Sequence, residues 1–483
     1  MSVHWQSSFA EVSAPASSNT NLTEPVTELR KRSLPAFLME SKAKEAVVIM
    51  EKEKEASISD NSSIDQQQPK LSFFQKYFCR PTTQDPEQSS QPENLRFSYL
   101  SLGFLVCSAV ITLAIIATLV AALVTQLVGK KPAPYKAPSE YKNSPIREAI
   151  FGNFPDPAIL LRDGTWYALA TNNIAGILKQ PQNVSALQYA LTNVQLATSP
   201  DFLNWTLMTV GQDPLPEVGE WANTTMTATI PPHSRANVWA PAVLQRPSDG
   251  HFVLYYSATA AHITRPAHCV GAAVTNASTP AGPYTPVNVS ISCPLDLGGA
   301  IDPAPFVDHD NTIWLAWKVD GNNIGNGGSC GNTMPPLQNT PIKLVKMKDD
   351  GITPDGPEMT ILDRTAADGP LVEAPSLVRS PEGIYFLFFS SGCTRDPSYD
   401  VKYATATSIT GPYTRASRPL LQSGDWGLEA PGSASIAPNG NGGFEMAFHA
   451  RVQSSLGGIR AMFTSKLQLN GTKASLVRSV NAA

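Results

Sequence analysis

The sequence predicts an all-β fold, a five-bladed β-propeller, from three observations. One phrase returns five times after residue 150, its copies lie about 56 to 84 residues apart, and no helical periodicity of useful length interrupts them. The copies are FPDPAILLRDGTWYALAT from Phe154, WAPAVLQRPSDGHFVLYYSA from Trp239, IDPAPFVDHDNTIWLAWK from Ile301, EAPSLVRSPEGIYFLFFSS from Glu373 and EAPGSASIAPNGNGGFEMAFHA from Glu429. Each reads as a strand opened by x-Pro, a polar turn, and a strand of aromatic and aliphatic residues. Aligned on the residue before proline, the anchors are Asp156, Ala240, Asp302, Ala374 and Ala430. One such sheet cannot bury both faces alone, whereas five arranged radially can.

The elements follow in chain order. Residues 1–95 are rich in Ser, Glu, Lys and Gln and poor in aromatics, the composition of a disordered tail, in which Lys42–Ala56 has the pattern of a short amphipathic helix. No charge occurs between Arg96 and Lys130, and the apolar stretch Leu100–Val128 exceeds the ~20 residues that span a bilayer. A transmembrane helix over 97–129 is expected, too long and too far along to be an ordinary cleaved signal. Cys107 falls within it, and Cys79 in the tail is a candidate for palmitoylation. The Pro-rich stretch 130–145 reads as an extended spacer. The propeller then occupies 146–483.

Basic residues flank both sides of the span, so orientation rests on the C-terminal part. It holds six Asn-x-Ser/Thr sequons, at Asn183, Asn204, Asn223, Asn276, Asn288 and Asn470, against two in the tail at Asn21 and Asn61. It also holds Cys269, Cys293, Cys330 and Cys393, an even number suited to disulfides in an oxidising compartment. The expectation is a single-pass type II protein with its C-terminal domain extracellular or lumenal. Four cysteines allow three pairings. Cys269–Cys293, within blade 2 and its exit, and Cys330–Cys393, joining the loops that leave blades 3 and 4, are favoured. A net charge of −4 gives no electrostatic footprint for nucleic acid.

A second repeat supports the blade count. Segments starting at Ala197, Ala273 and Ala404 each run into a turn rich in Gly, Pro or Asn, as a late strand of blades 1, 2 and 4 would.

In a propeller the first strand of every blade lines the axis, so residues remote in sequence converge there. Asp156, Asp302, Glu373 and Glu429 sit at the repeated position or one before it. Two carboxyl groups facing one cleft are the equipment for glycoside hydrolysis, one protonated beside the leaving oxygen and one ionised. A third carboxylate keeps the acid protonated by like-charge repulsion. Trp239 and Phe154, by the same openings, are candidates to stack on sugar faces. Asp-Pro at a strand start also serves as a plain turn device, and a lone His such as His449 on a core strand is usually structural.

The domain resembles glycoside hydrolase family 43, the five-bladed propellers that act on arabinans and xylans, over roughly 150–470. The matching strings are FPDPAI, NVWAPAV, AIDPAPFVD, VEAPSLV and the terminal FHA. The resemblance implies Asp156 as general base, Glu373 as general acid and Asp302 as the residue that tunes and orients that acid. It implies inversion at the anomeric carbon, for which a base–acid separation of roughly 6.5–9.5 Å is expected. It implies no cofactor for the chemistry, and a structural calcium held through water with the help of His449. The sequence departs from the pattern at Pro155, where many members have His, and at Ala374, where Gly is frequent. Arg395-Asp396-Pro397 is similar to a motif of the invertase-like fructosidases. There it precedes the catalytic Glu, whereas here it follows Glu373, and it reads as a loop element.

The leading expectation is a membrane-anchored inverting hydrolase of α-L-arabinofuranosyl or β-xylosyl linkages in a polysaccharide or oligosaccharide, with a lean to arabinan. The alternative is a non-catalytic carbohydrate-binding or adhesion propeller at the cell surface.

Overall fold

A computed structural model describes residues 108–119, 135–172, 192–208, 212–222, 236–263, 265–452 and 459–478. The tail, Lys42–Ala56, Cys79, Cys107, Asn183, Asn223 and most of the 97–129 span lie outside the described residues. Within the span, residues 108–119 are α-helical, with Val110, Ile111, Leu113, Ile115, Ile116 and Leu119 exposed. No helix among the described residues is long and apolar enough to cross a membrane.

The remainder is all β. Strand β1 (Arg147–Ile150) comes first and is set aside until the end of the chain. Blade I follows as β2 (Ala158–Arg162), β3 (Thr165–Thr171), β4 (Val194–Ser199) and β5 (Thr206–Leu207). Blade II is β6 (Val238–Gln245), β7 (Phe252–Thr259), β8 (His268–Thr275) and β9 (Thr285–Pro286). Blade III is β10 (Ala300–Val307), β11 (Ile313–Val319), β12 (Ile342–Met347) and β13 (Met359–Leu362). Blade IV is β14 (Val372–Arg379), β15 (Tyr385–Ser391), β16 (Asp400–Ala406) and β17 (Thr414–Arg415). Blade V contains β18 (Gly432–Pro438), β19 (Phe444–Val452), β20 (Ile459–Asn470) and β21 (Lys473–Val477), and β1 pairs with β20 to complete it. The segments at Ala197, Ala273 and Ala404 fall on the third strands β4, β8 and β16, as expected.

Why the strands carry continuous apolar runs is visible in the cores. Each of the five hydrophobic clusters lies between two adjacent blades. Successive side chains of a strand point to opposite faces. In β15, Phe386 and Phe388 enter the cluster shared with blade V, while Leu387 and Phe389 enter the one shared with blade III. In β7, Phe252, Leu254 and Tyr256 pack towards blade I, and Val253 and Tyr255 towards blade III. A strand buried on both faces has no polar alternation to show.

The spacer is only partly a spacer. Its described half packs on blade V: the Tyr135 hydroxyl donates to Glu148 Oε2 at 2.6 Å, and the Tyr141 ring lies against Gly427. Both expected disulfides form, Cys269–Cys293 and Cys330–Cys393. The sequon residues Asn204, Asn276, Asn288 and Asn470 are all exposed.

Candidate active site

A channel of about 110 Å³ runs along the axis, lined by the first strand of every blade. The residues that open these lining segments are Asp156, Ala240, Asp302, Ala374 and Ser433. All five have positive φ, at 54°, 42°, 59°, 52° and 53°. In blades II to V a register shift in the pairing of the first two strands falls at this point. A non-glycine residue in this region is strained by about 1–2 kcal/mol. Five such residues around one opening mark it as a site of stored strain.

Register corrects one expectation. Glu373 lies opposite Ser390, and the equivalent pair in blade V is Gly432 opposite His449. The blade V anchor is therefore Ser433, three residues beyond Ala430, and Glu429 precedes the strand instead of occupying the repeated position. The Glu-Ala-Pro string of Glu429 is a match of letters displaced from the match of structure.

The strain is held by bonds between blades. The residue facing the anchor's predecessor, at the end of the second strand, is Thr171, Ser257, Lys318, Ser390 or His449. Thr171 Oγ1 accepts the Ala240 N–H at 2.7 Å, Ser257 Oγ that of Asp302 at 3.1 Å, and Ser390 Oγ that of Ser433 at 2.8 Å. The Asp156 N–H points at His449 Nδ1 at 3.1 Å. Asp156 Oδ1 lies 3.3 Å from the same nitrogen, which cannot both accept and donate. Burial, with Arg460 nearby, brings His449 down to about 4, so the ring is neutral at pH 7. A neutral ring accepts the N–H through Nδ1 and keeps its proton on Nε2. Nε2 is buried and has no partner among the described residues.

Asp156 is a carboxylate well provided with donors. Thr171 Oγ1 donates to Oδ2 at 2.6 Å and Arg460 Nη1 to Oδ1 at 2.9 Å. Burial opposes its charge, but the Arg460 guanidinium and the Thr171 hydroxyl hold the carboxyl well below the usual range. Asp302 is the reverse case. Burial first, then the neighbouring Glu373 charge, push it well up, with Lys318 pulling the other way. Its Oδ2 accepts the Ala374 N–H at 2.9 Å. Glu373 accepts at both oxygens, from Lys318 Nζ at 2.8 Å and from the Tyr399 hydroxyl at 2.8 Å. The structure thus brings Asp156, Asp302 and Glu373 into one electrostatic cluster at the channel, as the repeat predicted.

The aromatic expectations divide. Phe154 is fully buried in the core between blades I and V and has no exposed face for a sugar. Its N–H donates to the Arg460 carbonyl of β20 at 2.9 Å, which holds the segment between β1 and β2 against blade V. Trp239 is half-buried, with one ring face stacked on His268 at 3.7 Å and Nε1 donating to Asn237 at 3.0 Å. Lys318, Tyr399, Arg460 and Thr171 are site residues that the sequence reading missed. A lysine inside the apolar strand IWLAWKV was the available signal, since a buried lysine requires acids around it.

Comparison with known proteins now adds to the geometry. The sequence model described as Glycosyl hydrolases family 43 matches residues 146–470. The chain is 26% identical over 290 residues to the extracellular exo-α-(1→5)-L-arabinofuranosidase ArbA of Cellvibrio japonicus, covering 56% of this chain and 69% of that protein. It is 27% identical over 268 residues to the β-D-galactofuranosidase xynD of Aspergillus niger, covering 53% and 64%. It is 28% identical over 298 residues to the extracellular endo-α-(1→5)-L-arabinanase 1 of Bacillus subtilis, covering 59% and 77%. Among solved structures, a thermostable family-43 glycoside hydrolase matches with a TM-score of 0.52 at 19% identity, over 68% of this chain and 96% of that one, which is a likeness of fold.

Proposed function

The chain belongs to glycosyl hydrolases family 43 and is a glycosidase, and from that premise we propose that it is a membrane-anchored inverting hydrolase of α-L-arabinofuranosyl or β-xylosyl linkages. The observation that carries the proposal is the division of labour among the acids. Asp156 is held ionised by two donors, Thr171 and Arg460, while Asp302 is pushed towards its neutral form beside Glu373.

In this reading Asp156 is the general base. Its hydroxyl and guanidinium partners fix the carboxylate, which takes a proton from water attacking the anomeric carbon. Glu373 is the general acid and delivers a proton to the departing glycosidic oxygen on the opposite face. Asp302 orients the backbone beside Glu373 through the Ala374 N–H, and its carboxyl, pushed towards the neutral form, lets a proton be held next to Glu373. Trp239, steadied by His268, offers a platform for a sugar ring. The arabinan lean is supported by the arabinanase and arabinofuranosidase relatives.

The calcium belongs to the same proposal, held through water with the help of His449. Nε2 of His449 carries a proton, so it has no lone pair for a cation and can only donate to a water. His449 would act on a bound calcium through such a water, and the ion would supply a fixed positive charge near the axis. Anchoring is supported by the uncharged run Leu100–Val128 and by the exposed apolar side chains of its described helix.

The test is hydrolysis by the full chain of aryl α-L-arabinofuranoside, aryl β-xyloside and linear arabinan, beside Glu373→Gln. Activity on one of them with an inverted first product, lost roughly 10²–10⁴-fold on the natural glycan in the variant, is expected. A first product of retained configuration, or an undiminished variant, would remove the reading. Sugar binding without turnover in both proteins would install the carbohydrate-binding alternative.

A further inference from the structure

Lys318 is the position where the ring of bonds between blades changes its chemistry. Its equivalents Thr171, Ser257, Ser390 and His449 each accept a backbone N–H of the next blade. A protonated lysine has no lone pair to offer. The Ala374 N–H that it would have taken goes to Asp302 Oδ2 instead. Lys318 Nζ, with no exposed side-chain surface, donates to Glu373 Oε2 at 2.8 Å and to Asp320 Oδ1 at 2.9 Å. Burial disfavours its charge, yet Asp320, Glu373 and Asp302 raise its pKa and keep it an ammonium. On the other side of the carboxyl, burial and the Glu373 charge push the Tyr399 phenol well up, so that it stays a donor.

We propose that Lys318 is a positioning residue for glycoside hydrolysis: with Tyr399 it fixes the Glu373 carboxyl and stabilises the anion formed as the proton is given up, setting how much protonic help the leaving group receives. This rests on the reading of Glu373 as general acid. As an acid gives up its proton it becomes an anion, and a cation at hydrogen-bond distance stabilises the anion more than the neutral group. The benefit therefore grows along the reaction and is realised in the transition state. The groups facing Glu373 divide by sign. Lys318 from β11 and the Tyr399 hydroxyl from the segment before β16 favour its charge, whereas Asp302 from β10 opposes it whenever Asp302 is itself ionised. Asp320 acts through Lys318, partly neutralising it.

The test uses the full chain, with kcat/KM followed against pH for wild type, Lys318→Met, Tyr399→Phe and Glu373→Gln. Two substrates with the same glycon are compared: a 4-nitrophenyl glycoside, whose leaving group departs without protonation, and an oligosaccharide, whose leaving group requires it. Lys318→Met is expected to move the high-pH limb upward by about 1 unit or more, the shift typical of an opposite charge at this distance. It is expected to depress the oligosaccharide at least about tenfold more than the nitrophenyl glycoside, as lost general-acid assistance does. Tyr399→Phe moves the limb the same way by less, and carries the test if Lys318→Met does not fold. An unmoved limb in a folded Lys318→Met or Tyr399→Phe protein, with both substrates lost in equal proportion, overturns the inference while Glu373→Gln remains inactive on the oligosaccharide. A Glu373→Gln protein that hydrolyses the oligosaccharide normally overturns the general-acid reading, and this inference with it.

Discussion

Replacing Thr171 by Val isolates the bond that ties the candidate base to the ring of blades. Thr171 is buried at the end of β3, and valine keeps its shape. Two hydrogen bonds disappear together: the donation to Asp156 Oδ2 at 2.6 Å and the acceptance of the Ala240 N–H at 2.7 Å. A bond to a charged group is worth about 1.5–3 kcal/mol, and a stranded buried N–H costs about 1–3 kcal/mol. Since Asp156 keeps Arg460, a loss of about 3 kcal/mol is expected from the two together. A propeller of about 330 residues unfolds with an entropy near 0.7 kcal/mol/K, so the melting temperature should fall by about 4 °C. The assay is thermal unfolding of the full chain at pH 7, with Thr171→Ser as control, since serine keeps the hydroxyl. Ser257→Ala, which strands an N–H but breaks no bond to a carboxylate, should fall by less. A Thr171→Val protein that melts with the wild type, within about 1 °C, would refute the claim that these bonds hold the ring.

Other outcomes follow from the same structure. Asp156 has a folded pKa below its unfolded value of about 3.9, so it contributes stability above that pH and loses it as acid is added. Urea unfolding of Asp156→Asn should accordingly show a flatter decline below about pH 4 than the wild type, and parallel declines would contradict it. The Cys330–Cys393 bridge closes 63 residues of sequence, for which chain entropy gives about 4 kcal/mol. Cys330→Ser/Cys393→Ser should therefore melt several degrees lower, and an unchanged melting point would argue that the bridge is idle. Exposed Asn204, Asn276, Asn288 and Asn470 should carry glycans in a C-terminal domain that enters the secretory lumen. Digestion with an N-glycosidase should then give a faster-running band, and no change would contradict that orientation. If calcium acts through water on His449, excess chelator lowers the melting temperature; an unaltered value leaves His449 with only its bond to Asp156.

The fold was legible because proline marks it. An x-Pro step opens the lining segment in blades I to IV, and its repetition located Asp156, Ala240, Asp302 and Ala374 without any structure. Blade V broke the rule, since there Ala430-Pro431 stands before the strand and Ser433, with no proline after it, takes the anchor's place. Proline records a local preference and not a register, which only the pairing of Gly432 with His449 reveals. The acids were legible as repeated anomalies, but their partners were not. Thr171 and Ser257 look like ordinary strand ends, and Arg460 comes from β20, far from the residue it serves. Phe154 misled because closeness to a catalytic candidate in sequence says nothing about which way a ring points.

The pairing of β1 with β20 also imposes a timetable. Arg147 lies opposite Thr464, so the first strand waits for a partner translated about three hundred residues later. At about 5–20 residues per second the wait is on the order of 15–60 s. Blades I to IV can each assemble as they emerge, but through that interval the flanks of blades I and V that meet in the finished ring lack each other. The apolar surface carried by Ile159 and Trp166 on one side and by Ala447 and Met462 on the other is covered only at the end. A nascent chain stopped before β20 should therefore be held by chaperones or aggregate, even though most of its blades are already made.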